Sequence, residues 1–556
     1  MKKLILFLIL LHFLQTTKSQ EIHCFMPDSE IDTTLLNQVL SSSVCNNKSN
    51  YTIYPDYLMT PIKTLRISFD VIQKTDGSGS YLGTDVQIVD FFNKLINASN
   101  QYLSNIQTHI PSVTSNYIPD SRIRFELNKV HFFKSDDIFN ITYGTSDRNN
   151  AINIYNNHIL PRNDLTDIDK NHTLHIIMEP AQPGRSFGGQ AANFGDRTWV
   201  VMRGYDEYYN NELINTGDCI NTANYFAHHV VHEVGHSLGL YHTFDCYDCS
   251  DYSCNPQTTN NFMDYPNYSI HNWSYLTSLT ECQISKIHYS LMGYFGTISQ
   301  DFINDYCFFD SNQSIIIDTN RDITWNNARN LIGNLTVNGK LNIKCNISLP
   351  QSANVSVQNG GILDVDQGKF DNLCDNDWDG ISVKSGGLLI LNSTDITDYN
   401  ITVESGGSIH IKGSLVMSGN HNITVQNGAY ICIENNTNIQ LSDQNSILKI
   451  EEGANYGINP VFNIQSNCIL PTSIIITGNG AIADFNQDVY IQNQTISSSR
   501  YIGGKNIYVG NNVTSSQTAG DVLINNGANV VFDCKSITFD AGFECVGGST
   551  YETINH

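Results

Sequence analysis

His232-Glu233-Val234-Gly235-His236-Ser237-Leu238-Gly239-Leu240-Tyr241-His242 is the stretch from which the rest of the chain can be read. At 3.6 residues per turn, His232 and His236 fall one above the other on one helix face, where two imidazoles can reach one ion. Glu233 stands beside the first of them. Gly239 follows at a position where a residue free to adopt positive φ can end the helix and turn the chain back. That turn would bring His242 round as a third imidazole. On the opposite face Phe226, Val230, Val234 and Leu238 recur every four residues, so one side of the predicted helix packs into a core and the other lines a cleft.

Three neutral imidazoles with an open fourth position suit a catalytic zinc ion, because a structural zinc would be closed by a fourth protein ligand. The expected metal ligands are His232, His236 and His242. Zinc acidifies the water it binds, and Glu233 can take that proton as the water attacks a carbonyl, then pass it to the leaving amine. Because the imidazoles must be neutral to bind, activity is expected to fade below about pH 6. His228 has no glutamate or Gly-His at the matching offsets, and is expected to be a packed or solvated histidine.

The motif resembles that of the metzincin zinc endopeptidases. Asn261-Phe262-Met263-Asp264-Tyr265 adds to the likeness, which implies a tight turn whose methionine, Met263, forms an apolar floor under the metal without ligating it. His242-Thr243-Phe244 and Met263-Asp264-Tyr265 resemble the pappalysin family within that clan, whose members cleave peptide bonds in proteins. By that resemblance Tyr265 would bind zinc in the resting state or donate a hydrogen bond to the oxyanion. The family also implies disulfides in the loop after His242 and, in some relatives, structural calcium.

A chain of 556 residues implies two or three domains, and a formal net charge of −24 argues against nucleic acid as a partner. Met1-Lys2-Lys3 followed by the apolar run Leu4 to Leu14 reads as a signal peptide over residues 1–19, with the mature chain starting near Gln20. No later segment is long and apolar enough to be transmembrane, so the product is expected to be secreted, or held at the cell surface by something other than a helix. All fourteen cysteines follow that point, which favours disulfides over free thiols, including for Cys246, Cys249 and Cys254. Asn-X-Ser/Thr triplets at Asn97, Asn140, Asn171, Asn267, Asn334, Asn400 and Asn422 should be exposed if they carry glycans.

Residues 20–60 form an N-terminal segment and candidate pro-segment, in which Cys24 or Cys45 could occupy the open zinc position or instead form a disulfide. Residues 61–300 are expected to be the α/β (α+β) metzincin-like catalytic domain. Alternation over Arg66 to Ile72, helical spacing over Val86 to Ile106, and strands at Ile123 to Leu127 and His175 to Met178 lead up to the zinc helix. Gly188 to Gly195 reads as a flexible loop and Trp199 to Met202 as a short strand; Gly188 to Met202 is expected to supply the sheet edge that an extended substrate pairs with. Cys282 to Met292 has helical spacing.

After a linker at 301–325, residues 326–556 are expected to form an all-β repetitive domain. Glycines 339, 360, 386, 406 and 428 each sit between short β-prone runs at a nearly constant period, the mark of a parallel β-solenoid, with a β-sandwich as the competing shape. Beyond residue 450 the repeat weakens to echoes at Gly453 and Gly527. Asp375, Asp377, Asp379 and Gly380 begin like a calcium loop, but Gly386 stands where a glutamate is needed, so an ordinary polar turn is expected.

The expected function is a secreted zinc-dependent endopeptidase whose partners are extracellular protein or peptide substrates. The alternative is a surface-adhesion protein that binds glycan or matrix through the C-terminal domain and carries a vestigial peptidase domain. Nothing in the zinc motif is degraded, which favours the enzyme.

Overall fold

A computed structural model describes residues 45, 47–142, 153–166, 169–170, 172–181, 188–194, 197–245, 249, 255–265, 275–294, 308–372, 377–397, 399–443, 445–471, 474 and 476–555. The signal segment, most of the candidate pro-segment with Cys24, and Asn171, Cys246, Cys254, Asn267 and Asp375 lie outside the described residues. The chain divides into two compact units, residues 305–556 with 42–45 forming one and 46–304 with 1–41 the other.

The first unit is built on a five-stranded sheet. Strand β1 (Lys63–Gln73) pairs in parallel with β2 (Ile123–Lys134) on one side and β3 (Leu174–Glu179) on the other. All six residues of β3 are buried, as a central strand covered on both faces requires. Beyond it lie β5 (Arg197–Arg203), parallel, and then β4 (Gly188–Phe194), antiparallel at the edge. The expected loop at Gly188 is therefore itself a strand. The edge belongs to Gly188–Phe194 alone, because Trp199 to Met202 lie one strand further in.

The helix that carries the zinc motif and the long helix beside it pack on this sheet. Helix α1 (Asp85–Ser104) starts with a reciprocal Thr84–Gln87 capping box and buries Ile88, Phe91, Phe92 and Leu95. Phe92 stacks on Phe69 of β1 with ring centroids 4.2 Å apart. Helix α2 (Tyr205–Thr216) follows Gly204, whose φ of 84° lets the chain leave β5 and start the helix at once. Helix α3 (Ile220–Ser237) packs on α1, and its Phe226, Val230, Val234 and Leu238 are buried as their spacing predicts. Helix α4 (Glu281–Tyr289) opens on a Thr280–Gln283 capping box. A disulfide joins its Cys282 to Cys249 in the loop after the zinc motif.

The second unit is strand-rich, with parallel sheets. Leu335–Val337, Val355–Val357, Ile381–Val383, Ile401–Val403 and Asn422–Val425 pair in register, so that Val337, Val357, Val383, Val403 and Val425 stack in a single buried column. Burying each such side chain contributes about 1.5–3 kcal/mol. Gly360, Gly386, Gly406 and Gly428 sit at the turns with φ of 73–80°. Gly360 N–H donates to Gly386 C=O, Gly386 to Gly406, and Gly406 to Gly428, at 2.7–2.9 Å.

Where the repeat in sequence fades, the pairing continues in parallel through Ala481–Asp484, Arg500–Val509, Asn529–Phe539 and Thr550–Asn555. Parallel pairing throughout these strands departs from the antiparallel sheets of a sandwich. Among the described residues the exception is the contact of Ile433 with Ile469, antiparallel and clipped by the Cys432–Cys468 disulfide.

Two expectations need correction. Cys219, Cys534 and Cys545 carry no disulfide, and Cys219 and Cys534 are buried, where they pack as small apolar groups. Of the candidate glycan sites, Asn97, Asn140 and Asn400 are exposed, but Asn334 and Asn422 are half-buried; the Oδ1 atoms of Asn334, Asn400 and Asn422 accept the N–H of Asn354, Asn422 and Ile447. Cys45, one of the two thiols considered for the zinc position, is bonded to Cys345.

Candidate metal centre

His232, His236 and His242 are brought together. Their Nε2 atoms converge, with that of His236 3.1 Å from both of the others. Each ring's Nδ1 is engaged elsewhere: His232 donates to Phe262 C=O at 2.6 Å, His236 to Leu240 C=O at 2.8 Å, and His242 to the Asp245 carboxylate at 3.1 Å. With the proton held on Nδ1, three Nε2 lone pairs face one another, an arrangement that a cation relieves. Zinc–nitrogen bonds of about 2.0–2.1 Å in a tetrahedral site place donors about 3.3 Å apart, so the trio fits zinc.

Backbone geometry accounts for the convergence. Gly239 takes φ 86°. Its N–H bonds to His236 C=O at 2.9 Å, while Leu240 N–H reaches Gly235 C=O at 3.0 Å, the paired closure of a Schellman motif. The reversal turns Leu240 C=O onto His236 and brings in His242. On the ligand face His232 is fully buried and His236 and His242 nearly so. Burial first, and then repulsion between the clustered rings, holds the pKa of His232 and His236 well below 6.5.

Met263 lies in a turn closed by Asp264 N–H to Asn261 C=O at 3.0 Å and anchored where Asp264 accepts the N–H groups of Gln257, Thr258 and Thr259. Its neighbour Phe262 supplies the carbonyl that orients His232. Met263 is fully buried against Gly235, where a Cβ would fall 2.7 Å from its sulfur. Only glycine between the two helical histidines leaves room for it. Tyr265 packs its ring against His242 and His232, with centroids 5.0 and 6.0 Å apart.

Glu233 is fully buried. Its Oε1 lies 3.0 Å from Nε2 of His229, and Tyr205 O–H meets the other nitrogen of that ring. Against the same oxygen stands Gly189 of β4, where a Cβ would lie 2.6 Å from Glu233 Cδ. Sequence reading missed all three neighbours, although His229 lies four residues before Glu233, a spacing that puts the two on one helix face. His228 stays apart from the cluster, its ring 3.8 Å from that of Tyr102 and its pKa held down to about 4 by burial. It is the packed histidine its context predicts.

Residues 79–277 match the family model Reprolysin_5, described as metallo-peptidase family M12. No curated protein matches the chain. The matched segment holds the three histidines, Glu233 and the turn at Met263 but spans less than half the chain. It supports a zinc metallopeptidase domain of metzincin type acting on protein or peptide substrates. Among the described residues no helix is long and apolar enough to cross a membrane.

A second buried group, Asp70, His131 and His175, lies across β1, β2 and β3. Each histidine turns Nδ1 to its own Asp70 oxygen at 2.8 Å, closer than donors sharing a zinc ion stand. His175 also donates from Nε2 to Asp169 C=O at 2.7 Å, so a second proton lies between its Nδ1 and Asp70. The group is thus a buried ion pair. Among the described residues, Asp377 and Asp379 belong to neither cluster.

Proposed function

We propose that the protein is a secreted zinc-dependent endopeptidase that hydrolyses peptide bonds of extracellular proteins, with His232, His236 and His242 as metal ligands. The observation that carries this reading is the convergence of three Nε2 atoms whose rings are each tied through Nδ1 to a carbonyl or carboxylate. Bound there, zinc supplies Lewis-acid polarisation of a carbonyl and of a water molecule. Glu233 takes the proton from the attacking water and returns it to the leaving amine. Tyr265, beside His242, is placed to donate to the developing oxyanion, and Met263 backs the ligand helix. The outer edge of β4 pairs with no strand among the described residues, which supports its use as the template for an extended substrate.

The pappalysin likeness is retained on His242-Thr243-Phe244 and Met263-Asp264-Tyr265. The domain limits proposed are 61–300 for the peptidase and 326–556 for a parallel β-solenoid, whose in-register columns and glycine turns support that architecture. An intact donor set speaks against a vestigial peptidase on an adhesion protein.

The test is metal analysis and turnover of two variants. Glu233→Gln should keep one zinc per chain and lose proteolysis, whereas His242→Ala should lose both. Substantial cleavage by Glu233→Gln, or full zinc content in His242→Ala, would refute the assignment.

A further inference from the structure

We infer that His229 and Tyr205 are positioning residues for Glu233, acting through a one-way chain of hydrogen bonds from the phenol to the carboxylate; this rests on the proposed role of Glu233 as proton acceptor. An ionised carboxylate only accepts, so His229 must present N–H at Nε2, 3.0 Å from Glu233 Oε1. A neutral ring then offers a lone pair at Nδ1, and the group facing it, Tyr205 O–H, can donate to it. Every partner is satisfied without a second buried charge. Tyr205, His229 and Glu233 are all fully buried.

The supports are rigid. Tyr205 is the first residue of α2, set directly after β5, and its ring packs on Phe226 at 4.0 Å between centroids. His229 stands one turn before Glu233 on α3, its ring nearly parallel to that of Tyr205 at 16°. Neither residue belongs to the three-histidine cluster, and the His229 ring stands 6.2 Å from that of His232 between centroids. Gly189 lies against the same carboxylate oxygen. With the strand and the imidazole both against Oε1, that oxygen of the proton acceptor is positioned before substrate arrives.

The full-length protein would be assayed on a fluorogenic peptide that the wild type cleaves, with zinc content measured alongside. His229→Ala should lower kcat about 10–100-fold, the range for loss of such a supporting partner, with KM within about threefold and zinc unchanged. His229→Gln, whose amide N–H can reach where Nε2 stood, should recover most of the rate. Tyr205→Phe should slow the wild type several-fold yet cost nothing further in the His229→Ala background, a coupling that independent structural damage would not produce. If Glu233→Gln abolishes turnover while His229→Ala and Tyr205→Phe both keep wild-type kcat, the inference falls and the peptidase assignment stands. If Glu233→Gln cleaves normally, the assignment itself has failed. Should His229→Ala not fold, Tyr205→Phe and His229→Gln decide: wild-type kcat in Tyr205→Phe, or no better than a tenth of it in a folded His229→Gln, overturns the inference.

Discussion

Gly189, on the sheet's edge strand, lies directly against the carboxylate of Glu233, on the helix that carries the metal ligands. A methyl group at 189 would have to displace that carboxylate or lift the strand. Gly189→Ala is therefore expected to lower kcat by at least about tenfold while zinc content holds, and to cost about 1–3 kcal/mol of stability through overpacking. Steady-state kinetics with metal analysis checks this; a variant with unchanged kcat would show that Glu233 does not need its place.

Acid should release zinc later than free imidazole chemistry suggests. His232 and His236 are held well below 6.5 by burial and by their neighbours. A histidine with a depressed pKa stays neutral as pH falls past 6.5, so its lone pair remains available to the metal. The expected fading near pH 6 therefore moves to lower pH. Protein dialysed at pH 5.5 should retain its zinc, and loss of half the metal at pH 6 or above would contradict this.

The Asp70–His175 pair should make stability depend on pH in a defined window. Burial pushes Asp70 up, but His175's charge and the hydrogen bonds of His131 and His175 outweigh it and leave the carboxyl below 3.8. Burial pulls His175 down, and Asp70 outweighs that to hold it above 6.5. The Asp70 contribution is present above 3.8 and is lost as pH falls through its lowered value. That of His175 is full below 6.5 and is lost as pH rises through its raised value. Urea unfolding of the zinc-loaded protein should show this contribution intact at pH 5.5 and reduced at pH 9. His175→Gln, which removes one of the two histidine partners of Asp70 and leaves His131, should cost more stability at pH 5.5 than at pH 9. Equal losses at both would rule out the ion pair.

The buried columns of the second unit make it sensitive to truncation. Ile401 is fully buried and in register with Ile381 and Ile423. Ile401→Ala should cost about 2–5 kcal/mol in denaturant unfolding, where a loss below about 1 kcal/mol would mean the neighbouring strands collapse into the gap.

Helix α3 was legible because its signals are local. The four-residue recurrence of Phe226, Val230, Val234 and Leu238, and the glycine that ends the helix, are properties of backbone geometry that any helix imposes. The glycine period of the second unit was legible for the same reason, and it weakened after residue 450 although Gly453, Gly527 and Gly548 still take positive φ. The strand at Gly188–Phe194 was not legible: small residues and glycines read as a loop when isolated, and only pairing with β5 makes them a strand. Nor could burial of both faces of α3 be foreseen, since histidines on a helix look solvated until a sheet edge and a turn close over them.

Which side chains can meet one ion was thus settled within eleven consecutive residues, because helix pitch and one left-handed glycine place them. What surrounds the proton acceptor was not. Tyr205, Gly189 and the carbonyl of Phe262 come from separate elements whose contacts arise only when the sheet, α3 and the turn at Met263 pack together, and no spacing along the chain encodes that meeting.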